Sequence, residues 1–179
     1  MSVPAACHSL CTRPFLSSDL LHIRRILLAI GWAERYIAGS ERAATGLASR
    51  ADARVNVALI DGVPAGFCAV EHHAWNNLAQ IQWLAVDPLR QRQGIARAMV
   101  AQAEIWARAQ GARGIYLDTP VGNVGGRAFY DAVGFVAAYI MPRYYDDETD
   151  GVTYQRWFDD AASRMSASDG ASAGTEEDT

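Results

Sequence analysis

The sequence predicts a mixed α/β sheet carrying helices on both faces. Three observations predict it. Segments of helical and of alternating periodicity interleave in the order strand, two helices, three strands, helix, strand, helix, two strands. Half of the 179 residues are hydrophobic and a fifth are charged, which suits a globular domain and excludes a disordered chain, a collagen-like repeat or a disulfide miniprotein. Glycine or proline closes several segments, at Gly31, Pro88, Gly111 and Gly134.

Each element has its own signal. Ser17-Ser18-Asp19 starts a helix in which Leu20, Leu21, Ile23, Ile26, Leu27 and Ile30 recur at helical spacing, and Gly31 closes it. Residues 34–50 are rich in Ala and Arg and continue as helix, with breaks expected near Gly39 and Gly46. Residues 56–60 and 65–71, joined through Asp61-Gly62-Val63-Pro64, read as a β-hairpin. Residues 80–86 are a third strand, ended by Asp87-Pro88 because proline removes a ladder donor. Residues 94–109 form a strong helix with Ile95, Met99 and Trp106, together with Ala98 and Ile105, marking one face, and Gly111 stops it. Residues 114–119 are a strand and 124–132 a short helix ending at Gly134. Two last strands, 136–141 and 152–158, flank an acidic loop. Residues 1–162 read as one domain. Residues 163–179 are small, polar and acidic, and read as a disordered tail.

Charge and cysteine usage narrow the function classes. All sixteen basic residues are arginine; the chain has no lysine. Residues 1–143 carry fourteen Arg against ten acids, and residues 144–179 two Arg against ten acids. A mildly basic body with an acidic end is not a nucleic-acid binder, but it suits a phosphorylated small molecule. An arginine-only basic set with abundant alanine also fits a compositional bias of the genome. Cys7, Cys11 and Cys68 form no C-x-x-C pair, so neither a disulfide framework nor a cysteine zinc site is expected; they read as small buried hydrophobes. Four scattered histidines suggest no metal site. No apolar run reaches the ~18 residues of a membrane span, and the N-terminus lacks a secretory signal. The expected compartment is the cytoplasm.

The most specific segment is Val86-Asp87-Pro88-Leu89-Arg90-Gln91-Arg92-Gln93-Gly94-Ile95-Ala96-Arg97. A strand ends, a basic turn follows and a helix starts at a glycine. Such a turn aims backbone N–H groups at an anion, which the helix dipole favours. Gly94 lets the backbone approach closely, Ala96 keeps the next turn small, and Arg92 and Arg97 add charge for phosphate. An ordinary strand-to-helix turn with a solvated basic cap is the competing reading. A P-loop is excluded because there is no G-K-[ST], and the G-x-G-x-x-G fingerprint is absent.

Gln91-x-x-Gly94-x-Ala96 resembles the [QR]-x-x-G-x-[GA] acyl-CoA pyrophosphate motif of the GNAT superfamily of N-acyltransferases. Asn123, twenty-nine residues after Gly94, and Phe129-Tyr130-x-x-x-Gly134-Phe135 match the second block of that family. Gly126 departs from it, standing where alanine is usual. The resemblance covers roughly residues 11–158. It implies a central, mostly antiparallel sheet of about six to seven strands flanked by about four helices. It also implies acetyl-CoA as acyl donor, an amine acceptor, no metal, and a homodimer as an open possibility.

Residue by residue, the resemblance implies that backbone groups of Leu84, Ala85 and Val86 pair with the pantetheine arm, where the strand usually carries a bulge. Gln91, Arg92, Gln93, Gly94, Ile95, Ala96 and Arg97 would hold the pyrophosphate. Asn123 would contact the pantetheine end, and Tyr130 would protonate the leaving thiolate. A tyrosine with pKa ~10 is protonated at neutral pH and can serve as the acid; its structural reading is a packed aromatic beside Phe129. An alkylamine with pKa ~10.4 must lose a proton before it attacks. Asp118 and, next, Glu71 are the candidate bases, with Asp118 alternatively ordering the Thr119-Pro120 turn. Gln80 and Gln82 stand on the strand where other family members use glutamate. Trp32, Tyr36 and the acidic Tyr144-to-Gly151 loop are candidate acceptor contacts. The rival classes are an acyl-CoA-binding regulatory module without turnover and a nucleotide-phosphate binder.

Overall fold

The computed structural model describes residues 9–158. The expected tail at 163–179 and Cys7 lie outside the described residues. The elements are β1 (Leu10–Pro14), α1 (Leu20–Ile30), α2 (Glu34–Ala48), β2 (Ala53–Ile60), β3 (Val63–His73), β4 (Leu78–Val86), α3 (Ile95–Ala109), β5 (Gly114–Pro120), α4 (Val124–Ala132), β6 (Val136–Asp146) and β7 (Thr149–Trp157). The seven strands form one sheet in the order β1-β2-β3-β4-β5-β7-β6. Every neighbouring pair is antiparallel except β4 and β5, which run parallel through the crossover helix α3. The mixed, mostly antiparallel sheet with helices on both faces is the expected one. No helix among the described residues is long and apolar enough to cross a membrane.

The sheet is buried from two sides. On one face, α1 and α2 lay Ile23, Ile26, Leu27 and Ile37 against Val55, Val57, Phe67 and Ala85. On the other, α3 and α4 lay Ile95, Met99, Val100, Ala103 and Tyr130 against Ile81, Ile115, Leu117 and Val152. A leucine-sized side chain contributes roughly 2–3 kcal/mol when fully buried, so these two stripes dominate the stability. The buried face of α3 is set by Ile95, Met99, Val100, Ala103 and Ala107, and Ile105 falls off it at 62% exposure. Cys68 is buried, and burial pushes its thiol up to about 12; Cys11 is exposed, contrary to expectation.

Three local departures have physical causes. The helix α2 runs unbroken through Gly39 and Gly46. Each glycine costs about 1 kcal/mol of propensity, but Ile37, Ser40, Ala44 and Leu47 bury one face and hold the helix. The first hairpin turns on two residues, Asp61 and Gly62, both with positive φ (52° and 81°), as a tight primed turn requires. This draws Val63 and Pro64 into β3, and Pro64 sits where the β2–β3 register shifts, so its missing N–H breaks no ladder bond. The expected acidic loop is mostly strand: β6 and β7 extend to Asp146 and Thr149. Their register shifts between Met141 and Asp146, where Arg143 takes φ 55°.

Candidate active site

The site begins where β4 and β5 part. They pair only from Ala79–Ile81 to Ile115–Leu117. Beyond Ile81 the edge of β4 that faces β5 is free, while its other edge stays bonded to β3 as far as Val86. A cleft of about 580 Å³ opens into the gap.

A bulge shapes one wall. Ala69 pairs with Trp83 and Val70 with Ile81, leaving Gln82 as the extra residue. The resemblance placed this bulge at Leu84–Val86; it comes before that segment. Its effect is to reverse the alternation of side chains. Ala79 and Ile81 pack on the α3 side, whereas Trp83 and Ala85 pack on the α1–α2 side. Gln82 and Trp83, neighbours in sequence, therefore both line the cleft. The Trp83 ring lies 5.6 Å from that of Trp32.

At the end of β4 the chain enters the basic turn. Asp87 accepts from Leu89 N at 3.0 Å and is held by Arg25 Nη1 of α1 at 2.7 Å. Arg92 takes φ 64° and Gly94 φ 80°, with Gln93 between them outside the left-handed region, and such alternation turns N–H groups into a concavity. The first intrahelical bond of α3 runs from Ala98 N to Gly94 O at 2.9 Å. The N–H groups of Ile95, Ala96 and Arg97 precede it and have no partner within the helix. Gln91, Arg92, Gln93, Gly94 and Arg97 are exposed. The cradle offers N–H groups to an anion, and the β4 edge at Leu84, Ala85 and Val86, unpaired with β5, precedes it in the chain.

Across the gap stand the polar candidates. Tyr130 on α4 is buried among Phe129, Tyr154 and Phe135, with ring centroids 5.4, 5.5 and 6.2 Å away. It lines the cleft, and among the described residues its hydroxyl makes no hydrogen bond. Burial raises its pKa, so the phenol stays protonated. Asn123, the expected pantetheine contact, lines the cleft and also caps α4. Its Oδ1 accepts from Gly126 N at 3.0 Å and its Nδ2 donates to Thr119 Oγ1 at 2.9 Å. Gly126 is glycine for this reason: a Cβ there would stand 2.3 Å from Asn123 Nδ2.

The two candidate bases are separated. Asp118 lines the cleft and accepts from Thr153 Oγ1 (2.5 Å), Gln80 Nε2 (3.2 Å) and Tyr144 OH (3.4 Å). Glu71 does not line it. It is buried behind Gln82, paired with Arg50 Nη1 at 2.8 Å, and accepts from Gln82 Nε2. Sequence reading missed Thr153, Arg50 and Trp83. Thr153 reaches Asp118 because β5 and β7 pair them directly, a register that no local pattern reveals.

Aromatic rings roof the outer end. Tyr36 OH donates to Tyr145 O at 2.9 Å, and Arg35 pairs with Asp146 at 3.3 Å, tying α2 to the last hairpin. Tyr144 and Tyr145 meet edge-on at 5.0 Å. Burial drives the Tyr145 pKa up, and the nearby Asp118 adds to it. Among the described residues no group of three or more His, Cys, Asp or Glu is placed to hold a metal.

The chain is similar to known acetyltransferases. The sequence profile of the acetyltransferase (GNAT) family matches residues 24–135. A streptothricin acetyltransferase of Streptomyces lavendulae is 36% identical over 86 residues, which are 48% of this chain and 46% of that protein. The match thus spans under half the length of that curated relative. A candidate streptothricin acetyltransferase from Bacillus anthracis, solved with acetyl coenzyme A, superposes with a TM-score of 0.60 at 26% identity over 64% of this chain and 68% of its own. The ribosomal-protein-S18-alanine N-acetyltransferase of Escherichia coli superposes with a TM-score of 0.67 at 22% identity, over 86% and 96% of the two chains; that likeness is one of fold.

Proposed function

This chain belongs to the acetyltransferase (GNAT) family, and on that premise we propose that it moves an acetyl group from acetyl-CoA directly to the primary amine of a small cationic acceptor. One observation carries the reading: a protonated, unengaged Tyr130 hydroxyl and the Asp118 carboxylate share a cleft at the free edge of β4. In it the pantetheine arm adds to Leu84, Ala85 and Val86 as a further strand, and the diphosphate rests on the N–H groups from Arg92 to Arg97. Asp118 faces the acceptor and takes its proton, directly or through one water. The amine nitrogen bonds to the acetyl carbon, the carbon–sulfur bond breaks, and Tyr130 gives its proton to the thiolate. Positioning supplies much of the rate.

The acceptor is chosen by the outer wall. Trp32, Trp83, Tyr36, Tyr144 and Tyr145 offer ring faces to a cation and to methylenes. Identity to a streptothricin acetyltransferase favours a small-molecule amine as well. The peptide or protein amine is the second reading, supported by the paired tyrosines of the last hairpin. With no lysine, the chain offers no side-chain amine of its own to compete with the acceptor. Free Cys11 and Cys68 suit a reducing compartment, the cytoplasm. A homodimer is supported by the edge strand β6, which exposes Val136, Tyr139 and Ile140.

Calorimetric titration with acetyl-CoA and with ATP tests the donor half. Heat from acetyl-CoA alone is expected, and heat from ATP alone would replace the reading with a nucleotide binder. Thiol release with an alkyl diamine, streptothricin and an N-terminal peptide as acceptors then orders the acceptor classes. Acetyl-CoA binding without thiol release from any of them would point to a regulatory module.

A further inference from the structure

We propose that Glu71 is a positioning residue that fixes the direction of an amide wire ending on Asp118. The inference rests on the proposed role of Asp118 as the carboxylate facing the amine. Glu71 pairs with Arg50, whose Nε and Nη2 are in turn fixed by Asp52 at 2.9 and 2.8 Å. A carboxylate only accepts hydrogen bonds, so the group that Gln82 turns toward Glu71 is its NH₂. The same NH₂ donates onward to Gln80 Oε1 at 3.0 Å. The Gln80 carbonyl also takes the Tyr116 hydroxyl at 3.0 Å and meets His73 Nε2 at 3.2 Å. The amide of Gln80 is thereby turned so that its NH₂ meets Asp118 Oδ2 at 3.2 Å.

Gln82 thus takes its direction from a carboxylate that does not line the cleft, and Gln80 is held from both ends, by Gln82 and by Asp118. The bulge at Gln82 makes the wire possible by leaving that residue out of the β3–β4 register, next to Glu71 and Gln80 on the same face. Replacing Glu71 by glutamine removes the constraint, because an amide presents either a donor or an acceptor to Gln82. Gln82 is then free to reverse, which sets its carbonyl oxygen against that of Gln80 and drives Gln80 to turn its donor away from Asp118. One donor to a charged group is lost from the site.

The test is a cycle of Glu71→Gln, Asp118→Asn and the double variant, read as kcat and KM for both substrates with the Tm of each protein. Glu71→Gln is expected to lower kcat about tenfold, the effect of one hydrogen bond to a charge, with the acetyl-CoA affinity unchanged. In the Asp118→Asn background it should have no further effect. Full activity of Glu71→Gln, or a loss that multiplies with that of Asp118→Asn, overturns the wire while leaving Asp118 in its role. Full activity of Asp118→Asn overturns the assignment of Asp118 itself, and the wire with it. Gln82→Leu cuts the same chain with the Arg50–Glu71 pair left in place. It repeats the cycle if Glu71→Gln fails to fold, with the same two expectations.

Discussion

Two adjacent glycines at the start of α4 should respond to alanine with opposite signs. Gly125 and Gly126 are both helical, and alanine gains up to about 1 kcal/mol over glycine in a helix. A Cβ on Gly125 meets nothing within 4 Å, so Gly125→Ala should collect that gain. A Cβ on Gly126 falls 2.3, 2.7 and 2.9 Å from the side-chain atoms of Asn123, which must swing away. That movement breaks the N-cap, costing about 1 kcal/mol, and the bond to Thr119, costing about another. The net loss is about 1 kcal/mol. For a chain of this size 1 kcal/mol moves Tm by about 2–4 °C, so Gly125→Ala should melt that much higher and Gly126→Ala that much lower. Circular dichroism melts of the three proteins are enough. A rise in Tm for Gly126→Ala would refute the reasoning, since it would mean that Asn123 contributes no cap.

Other outcomes follow from the same geometry. Tyr130→Phe should lose on the order of 10²-fold in kcat and keep both its fold and its acetyl-CoA affinity, because the lost hydroxyl bonds to no described residue; unchanged turnover in a thiol-release assay would remove Tyr130 from the mechanism. Asp19 is held below the usual carboxylate range by the Arg13 guanidinium, against the opposing effect of burial. For Asp87 burial is the largest influence and acts to raise the pKa, but Arg25 and the Leu89 N–H outweigh it and the net direction is down. Both groups therefore stabilise the fold above an unfolded pKa of about 3.9 and lose that contribution as pH falls below it. Urea midpoints should drop from pH 6 to pH 3, and less steeply in Asp19→Asn. Leu27 is fully buried, and Leu27→Ala should cost about 2–5 kcal/mol in the same titration. Trp83→Leu should raise KM for the acceptor several-fold and leave acetyl-CoA binding unaltered, as a calorimetric titration would show.

The turn proposed to hold the donor was legible in the sequence because it is local. The Asp87-to-Arg97 turn is one contiguous segment, and its glycine, its proline and its arginines each announce a backbone conformation or a charge. The acceptor half was legible only as a list of candidates. Asp118 and Glu71 are both strand carboxylates with plausible chemistry, and only the parting of β4 from β5 puts one in the cleft and the other behind it. Gln80 and Gln82 looked inert because neither can take a proton; their value lies in direction, which depends on Glu71 and on Arg50 from a different part of the chain. The breaks expected in α2 failed because glycine penalties near 1 kcal/mol are small beside a buried helix face.

The bulge at Gln82 is an addition to the sheet and not part of its frame. Trp83 stands opposite Ala69 and Ile81 opposite Val70, so deleting Gln82 alone would close the ladder into regular pairing and leave every later residue of β4 on its present face. The amide that meets Glu71 would be lost and the packing on either side of the sheet kept. A residue that interrupts a ladder in this way can be gained or lost as a single codon, with the core and the turn at Gly94 left in place.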